Sequence, residues 1–260
     1  MNLLKKRLKE NYPKLYRHWQ MMRNPERYFV FSQGYLDPPL YNQDGLATAH
    51  NCDFMKDPLF MQSYHLGEAT GSWGGAQPAY RAYVAAWAAH KAKNLPGDFV
   101  ECGVNRGGLS RMVINYIQFD KLQKTFYLLD TFKGFDPKVL SEFELQKFKG
   151  FAGYPDCYES VVATFAPFKN VKIIRGTVPE TLPEVKAERI AYLSIDMNCA
   201  APEAAAVEYF WDKLVPGGVV LFDDYGFSGH HEQKAAHDAF ARKHGLSILT
   251  LPTGQGLLIK

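Results

Sequence analysis

The stretch that decides the fold reads Asp98-Phe-Val-Glu-Cys-Gly-Val-Asn-Arg-Gly-Gly-Leu-Ser110. It predicts a short apolar strand, Phe99 to Cys102, that runs through a glycine loop directly into a helix. A side chain at such a turn would keep the backbone away from a bound nucleoside, and glycine also tolerates positive φ. The stretch therefore predicts the first strand, loop and helix of a nucleoside-binding βαβ unit.

The next predicted strand ends in Asp130, which follows Gly108 by 22 positions. In nucleoside-binding βαβ units, an acid about 20 residues after the loop meets the ribose hydroxyls. The loop departs from the dinucleotide pattern Gly-x-Gly-x-x-Gly, because Asn105 stands where the middle glycine would be and Glu101 precedes Gly103. The pattern Glu-x-Gly-x-x-x-Gly suits S-adenosylmethionine better than NAD.

Charge gives the physical reason for this preference. A dinucleotide brings a pyrophosphate that needs bare amides at a helix N-terminus, whereas S-adenosylmethionine brings an ammonium, a sulfonium and one carboxylate. Glu101 would repel the pyrophosphate and hold the amino acid end of S-adenosylmethionine. An ordinary strand-to-helix turn with incidental glycines is the alternative. The predicted cofactor-binding residues are Glu101, Gly103, Asn105, Gly107, Ser110, Asp130 and Thr131.

Composition excludes several classes of protein. The net charge of +3, from 30 basic and 27 acidic residues, gives no strong affinity for polyanions. A basic cluster at Lys5, Lys6, Arg7 and Lys9 is interpreted as the solvated face of a helix. No apolar run approaches the ~18 residues that span a bilayer, and no signal peptide is recognised. We therefore expect a soluble protein that binds neither nucleic acid nor membrane. Both a monomer and a homo-oligomer are compatible with the sequence.

The four cysteines are scattered, with no Cys-x-x-Cys pair. One of them, Cys102, lies within a predicted buried strand, so the pattern favours a reducing compartment and no structural zinc. The expected location is the cytoplasm.

The chain divides by composition at Pro96-Gly97. Residues 1–95 are rich in aromatic side chains and turn signals, and they are expected to form helices and loops rather than a sheet. We expect this N-terminal helical segment to act as a lid over an acceptor site, with simple packing against the sheet as the alternative.

Residues 96–260 alternate between strand and helix patterns, which predicts a doubly wound α/β domain with a Rossmann-like sheet. Strands are predicted at 99–102, 125–130, 171–174, 190–196, 218–223, 246–250 and 256–260, and helices at 107–118, 156–166, 202–214 and 231–244. Only about five residues join the last two strands, so they must form a hairpin. A mixed seven-stranded sheet that ends in a hairpin is the arrangement of class I methyltransferases.

Three carboxylates lie at the ends of two of these strands: Asp196 ends the strand predicted at 190–196, and Asp223, followed by Asp224, ends the strand predicted at 218–223. If the strands are neighbours, ~4.8 Å apart, the three acids meet beside the cofactor loop. Like charges this close raise one another's pKa unless a cation neutralises them, and oxygen ligands favour Mg²⁺. Such an ion would lower the pKa of an acceptor hydroxyl. Simple capping of a strand end is the alternative.

The chain resembles the macrocin-type O-methyltransferases, which methylate sugar hydroxyls in macrolide and aminocoumarin antibiotic pathways such as those of mycinamicin and novobiocin. The resemblance covers roughly residues 96–260. The motifs that carry it are Pro96-Gly-Asp-Phe-Val-Glu-Cys-Gly-Val-Asn-Arg-Gly-Gly108, Leu129-Asp-Thr-Phe-Lys-Gly134, Ile195-Asp196 and Pro216-Gly-Gly-Val-Val-Leu-Phe-Asp-Asp-Tyr-Gly226. It implies that Asp196, Asp223 and Asp224 match magnesium ligands and that Glu101, Gly103 and Asp130 match cofactor-binding positions.

One departure from the family bears on catalysis. The family commonly has Asp-x-Asp after the fourth strand, its second Asp being a proposed general base, whereas this chain has Asp196-Met-Asn198. An amide cannot accept a proton at neutral pH, so Asn198 could orient a substrate only. An imidazole is suited to the missing role, which makes His230 the candidate base. The remaining alternatives are His231, His50, His65 and solvent.

The predicted activity is transfer of a methyl group from S-adenosylmethionine to a hydroxyl of a small acceptor, a sugar or a glycosylated metabolite, assisted by Mg²⁺. The residues expected to carry it are Asp196, Asn198 and His230. One alternative is an NAD-linked nucleotide-sugar oxidoreductase, which would need a Tyr-x-x-x-Lys pair that is not found at the expected place. The other is a protein that binds S-adenosylmethionine without turnover, which Asn198 keeps open.

Overall fold

A computed structural model describes residues 39–150 and 153–260, together with scattered positions before residue 39. The chain forms two compact units, Met1–Asp53 and Phe54–Lys260. None of the helices in the described part of the chain combines the length and the apolar character that crossing a membrane requires.

The N-terminal unit contains a β-hairpin, although the sequence predicts helices and loops there. Strand β1, Tyr41–Gln43, pairs antiparallel with strand β2, Leu46–Thr48. The residues between them, Asp44 and Gly45, have φ values of 54° and 73°, as in the type I′ turn that Asp-Gly favours. The prediction of helices and loops was wrong for residues 41–48. Strands of three residues show too little alternation to be recognised in the sequence, and the Asp44-Gly45 turn alone determines the hairpin. The predicted basic helix face lies mostly outside the described residues, at Lys5, Lys6 and Arg7.

The second unit is built on a seven-stranded sheet. Its strands are β3 Asp98–Cys102, β4 Phe126–Asp130, β5 Val171–Arg175, β6 Ile190–Ile195, β7 Leu214–Phe222, β8 Leu249–Thr250 and β9 Gly256–Ile259. They lie in the order β5-β4-β3-β6-β7-β9-β8. Strands β3 to β7 are parallel to one another, whereas β9 runs antiparallel to both β7 and β8. The predicted mixed seven-stranded sheet with a terminal hairpin is confirmed.

The helices of this unit are α1 Pro58–Glu68, α2 Ala79–Ala92, α3 Gly108–Ile117, α4 Glu142–Lys147, α5 Tyr158–Phe165, α6 Ala200–Trp211 and α7 His231–His244. Helix α6 ends three residues before its predicted end, because Leu214 already belongs to β7. Helix α4 is not among the predicted helices, although its start carries a capping box between Ser141 and Glu144.

Helices α1 and α2 belong to the compact unit that contains the sheet. Both pack against α3, and α2 also packs against β6 and β7. Eight of the fourteen residues of α2 are buried, and seven of these are alanine, so small side chains allow the helix to approach its neighbours closely. The role of residues 1–95 as a lid stays a prediction.

The register of the central strands aligns their carboxyl ends. Cys102 of β3 lies opposite Leu129 of β4 on one side and Ile195 of β6 on the other, and Ile195 lies opposite Phe222 of β7. The residues that follow these four positions therefore form a row along one edge of the sheet. In sheet order, this row is Asp130, Gly103, Asp196 and Asp223.

Candidate active site

A cavity of about 490 Å³ lies along this row. Ten of the twelve predicted site residues line it: Glu101, Gly103, Asn105, Asp130, Thr131, Asp196, Asn198, Asp223, Asp224 and His230. The other two, Gly107 and Ser110, do not. The topology thus brings the predicted cofactor residues and the three carboxylates to one cavity.

Two glycines of the loop are required by packing. Gly103 has φ +89°, and a Cβ there would lie 1.8 Å from the backbone oxygen of Asp196. Gly107 has φ +83°, and a Cβ there would lie 2.4 Å from the ring of Phe165. Because Gly107 is closed in by this ring, it shapes the loop without reaching the cavity.

Asp130 holds the glycine loop in place. Its Oδ2 accepts hydrogen bonds from the backbone N–H groups of Val104, at 2.6 Å, and Asn105, at 2.7 Å. Its Oδ1 accepts one from the N–H of Phe132 at 2.7 Å. The hydroxyl of Thr131 donates to the backbone oxygen of Gly134. A carboxylate oxygen can accept two hydrogen bonds, and the Thr131 hydroxyl, 3.4 Å from Oδ1, gives its one proton to the shorter contact with Gly134. Oδ1 therefore retains capacity for a ligand hydroxyl.

The N-terminus of α3 is capped by the protein itself. The backbone N–H of Gly108, the first residue of this helix, donates to Ser72 Oγ at 2.9 Å. The side-chain amide of Asn105 donates to the backbone oxygen of Ser72 at 3.3 Å. A helix N-terminus that binds phosphate leaves such N–H groups free for the ligand. In this chain Ser72, which lies in the segment before α2, accepts a hydrogen bond from the first of these N–H groups.

Glu101 is a buried acid next to the loop, with 3% of its surface exposed. Ser110 does not line the cavity, but its hydroxyl donates to Glu101 Oε2. Burial raises the pKa of Glu101 to about 8; the Ser110 hydrogen bond opposes this rise, and Asp130 and Asp223 add to it. Glu101 therefore keeps a proton at neutral pH until a cation approaches it.

The three carboxylates are close enough to perturb one another. Burial raises the pKa of Asp196 well above its ordinary value, and the charges of Asp223 and Asp224 raise it further. Burial, then the charge of Asp223, raises the pKa of Asp224 to about 8. In both cases Arg81 acts in the opposite direction. The cluster is therefore short of positive charge.

Asp223 is bound on both of its carboxylate oxygens. Nη1 of Arg81, from the first turn of α2, lies 2.6 Å from Oδ2. The side-chain amide of Gln255, from the β8–β9 turn, donates to Oδ1 at 3.0 Å. Sequence reasoning does not find either partner. Arg81 carried a signal, because a cation is unfavourable at a helix N-terminus, whereas Gln255 carried none.

Asp224 has a buried Oδ2 with no hydrogen-bond partner. Nδ1 of His230 lies 3.2 Å from it, but the approach is outside hydrogen-bonding geometry. Nδ1 also lies 2.8 Å from the side-chain nitrogen of Gln233, and Nε2 lies 2.8 Å from Lys147 Nζ. Burial, then the Lys147 charge, lowers the pKa of His230, so the ring is neutral at pH 7. Both ring nitrogens have protein neighbours, and its role as a base stays a prediction.

The turn after β6 is held from two sides. Asn198 has φ +58°, and its side-chain amide donates to Asp196 Oδ1 at 3.1 Å. The backbone N–H of Met197 donates to the buried carboxylate of Glu203 at 3.0 Å, and this carboxylate lies 2.9 Å from His237 Nε2. Asn198 is therefore placed to orient Asp196.

The other histidines considered as bases lie elsewhere. His231 is exposed and contacts the ring of Phe143. His65 is exposed and pairs with Glu68, and His50 is exposed in the N-terminal unit. None of the three lines the cavity.

The three carboxylates do not form a preformed metal site. Across residues 39–150, 153–260 and the few described positions before them, no group of three or more His, Cys, Asp or Glu side chains is arranged to hold a metal ion. The chemistry of the donors nevertheless fits a hard cation, since all three offer oxygens and the buried Asp224 Oδ2 accepts no hydrogen bond, with His230 Nδ1 3.2 Å away. The positive group that occupies the cluster is the Arg81 guanidinium.

The strand order and the position of the cavity define the class of protein. Five parallel strands followed by an antiparallel terminal hairpin, with the cavity at their carboxyl ends, form the class I methyltransferase fold. The solved structure of the O-methyltransferase NovP has this fold, with a TM-score of 0.61 at 22% sequence identity. The superposition covers 80% of this chain and 97% of NovP.

Within this class, the chain belongs to the macrocin-O-methyltransferase (TylF) family, whose model matches residues 82–249. It is 27% identical over 165 residues to mycinamicin III 3''-O-methyltransferase of Micromonospora griseorubida, which is 59% of this chain and 63% of the relative. It is 29% identical over 168 residues to 8-demethyl-8-(2,3-dimethoxy-alpha-L-rhamnosyl)-tetracenomycin-C 4'-O-methyltransferase of Streptomyces olivaceus, covering 60% and 62%. The chain thus spans about three fifths of the length of these curated relatives. The family resemblance noted in the sequence is confirmed.

Proposed function

We propose that this chain is an S-adenosylmethionine-dependent O-methyltransferase that acts on a hydroxyl of a sugar or glycosylated metabolite. The observation that carries the proposal is that Glu101 and Asp130 line the same cavity as the three carboxylates Asp196, Asp223 and Asp224. The similarity of this chain to relatives that are named as O-methyltransferases of mycinamicin and of a rhamnosyl tetracenomycin supports the proposed class of acceptor.

Each cofactor-side residue has a role that its surroundings favour. The carboxyl group of Glu101 binds the ammonium end of the amino acid moiety, because a cation would stabilise its ionised form. Asp130 holds the loop and offers its Oδ1 to a ribose hydroxyl. The N-terminus of α3 is capped by Ser72, which favours a ligand without a pyrophosphate and disfavours NAD.

The reaction is an in-line displacement, in which the acceptor oxygen forms a bond to the methyl carbon as the carbon–sulfur bond breaks. S-adenosylmethionine supplies the electrophilic methyl group. Asp196 and Asp223 face the acceptor side of the cavity, and Asn198 orients Asp196. The acceptor proton passes to His230 or to solvent; the neutral state of the His230 ring at pH 7 supports its role. We also propose that residues 1–95 supply the lid that excludes water.

Magnesium dependence is part of the proposal. Asp196, Asp223 and Asp224 would hold the ion, which would lower the pKa of the acceptor hydroxyl. The oxygen-only donor set and the unpartnered Oδ2 of Asp224 support this assignment. A cytoplasmic location is also proposed, and it is supported by the four cysteines, which are all free thiols.

Titration calorimetry with S-adenosylmethionine and with NAD tests the proposed cofactor. We expect S-adenosylmethionine to bind about 100-fold more tightly than NAD or better, which is a difference of about 2.7 kcal/mol. Labelled methyl uptake, screened over a panel of glycosides and catechols, then tests the reaction. Preferential binding of NAD would establish the oxidoreductase instead. Tight cofactor binding without methyl uptake by any acceptor would favour the non-catalytic alternative.

The double variant Asp223→Asn with Asp224→Asn tests the metal. We expect it to lose the stimulation of methyl transfer by Mg²⁺ and to retain about 1% or less of wild-type activity, because two of the three ligands lose their charge. The matched control is Asp120→Asn with Asp212→Asn, which removes the same charge at two exposed positions. Unchanged activity of the first double variant, together with full activity in a chelator, would remove the metal from the mechanism.

A further inference from the structure

The first turn of α2 contains a residue whose charge is wrong for its position. Arg81 is the third residue of this helix, the first turn has no acidic residue, and the N-cap Pro78 makes no side-chain cap. The N-terminus of a helix carries a partial positive charge, so a cation there is unfavourable. Residues that break a local rule in this way are expected at functional sites.

The guanidinium of Arg81 lies inside the three-carboxylate cluster. Its Nη1 is 2.6 Å from Asp223 Oδ2, and the two side chains are 20% and 11% exposed. Its central carbon lies 5.7 Å from the ring centroid of Phe227, which also lines the cavity. Two contacts therefore fix the guanidinium beside the carboxylates in the cavity.

The cluster has more carboxylates than positive groups. The second oxygen of Asp223 accepts a hydrogen bond from Gln255, so both oxygens of this carboxylate have a protein partner, and an ion bound through Oδ2 would lie beside the Arg81 guanidinium. In contrast, Asp224 is 6% exposed and its Oδ2 has no hydrogen-bond partner. Asp224 Oδ2 thus faces only the neutral ring of His230, 3.2 Å away, among the contacts described above, whereas Asp223 Oδ2 is held by an arginine.

We propose that Arg81 is an internal competitor of the divalent cation and sets the metal affinity of this site. The inference rests on the proposed function only in taking the three carboxylates as the metal ligands. The guanidinium acts in two ways. It competes with the ion for Asp223 Oδ2, and its charge repels an ion bound to the neighbouring carboxylates. Metal binding is then expected to weaken or displace the contact between Arg81 and Asp223.

Binding of Mn²⁺ to the full chain, measured by calorimetry and by the paramagnetic resonance signal of the free ion, tests this inference. We expect Arg81→Gln to bind Mn²⁺ about tenfold more tightly than wild type, or better, because it removes one unit charge next to the ion. Arg81→Lys keeps the charge and should stay below Arg81→Gln in affinity. The matched control is Arg189→Gln, which makes the same change at an exposed residue just before β6, at the opposite edge of the sheet.

Arg81→Met guards against a folding defect, because its apolar stem can still pack against Phe227. Thermal unfolding of each variant shows whether the fold is retained, and either neutral variant that folds decides the question. Affinity for Mn²⁺ that stays equal in wild type, Arg81→Gln and Arg189→Gln would overturn the inference, as would absence of binding in all of them. If the wild-type chain transferred no methyl group while Arg81→Gln still bound Mn²⁺ more tightly than wild type, the proposed function would be contradicted and the role of Arg81 would be supported.

Discussion

Replacement of Gly103 by alanine is expected to lower the free energy of unfolding by about 4 kcal/mol and to abolish binding of S-adenosylmethionine. The added Cβ would lie 1.8 Å from the backbone oxygen of Asp196, and a backbone atom within the row of strand ends cannot turn aside as a side chain could. The residue would also be held at φ +89°, which L-residues rarely adopt. Urea unfolding measures the first effect and titration calorimetry the second.

The matched control for Gly103 is Gly245→Ala at the C-terminal end of α7. Gly245 also has positive φ, at +65°, but nothing lies within 4 Å of the added Cβ. This variant carries the conformational strain without the clash, and we expect a loss of about 1 kcal/mol with normal cofactor binding. Equal losses in the two variants would show that the contact between Gly103 and the Asp196 turn is not what requires glycine.

The contact of Gly103 with Asp196 also shows how far the sequence leads. Each apolar run that ends in Asp130, Asp196 or Asp223 can be recognised in the sequence. Because parallel strands place their carboxyl ends at one edge of a sheet, the sequence also predicts that these three acids share that edge. Their register, in which Cys102 lies opposite Ile195 and Ile195 opposite Phe222, is a property of the folded sheet. The sequence therefore predicts which residues share the cavity but not which of them touch.

The parts that the sequence could not supply come from distant segments. Arg81 and Asp223 are separated by 142 positions, and no periodicity relates a helix N-terminus to a strand end so far along the chain. Asp130 was expected at a ribose, and the structure adds that it binds the glycine loop through two N–H groups. The start of α4, in contrast, has a short-range signal in the sequence, the capping box that begins at Ser141.

The second large effect comes from Glu101, because burial raises its pKa to about 8 in the folded chain from its ordinary value of 4.5. Burial is the main cause, opposed by the Ser110 hydrogen bond. Between these two pH values the folded chain binds more protons than the unfolded chain, so the free energy of unfolding falls as the pH rises from 4.5 to 8. At about 1.4 kcal/mol per pKa unit, the loss above pH 8 is on the order of 5 kcal/mol at most.

Glu101→Gln removes this titration, because the amide keeps the shape of the acid without its charge. The difference in unfolding free energy between wild type and Glu101→Gln is therefore expected to shift in favour of the variant as the pH rises from 4.5 to 8, by several kcal/mol. The exposed control Glu188→Gln should show no such trend. Urea unfolding at a series of pH values measures it. A difference that stays constant with pH would mean that Glu101 is already ionised in the folded chain.

The same proton couples Glu101 to the cofactor. An ammonium and a sulfonium favour the ionised acid, so S-adenosylmethionine must displace the proton and its affinity should rise by up to about tenfold per pH unit between pH 6 and 8. Methylthioadenosine lacks both positive charges and should bind without this slope. The slope should also vanish in Glu101→Gln, in which no proton remains to be released. A slope that persists in that variant would place the coupled proton on Asp196 or Asp224 instead, the other acids whose pKa burial raises.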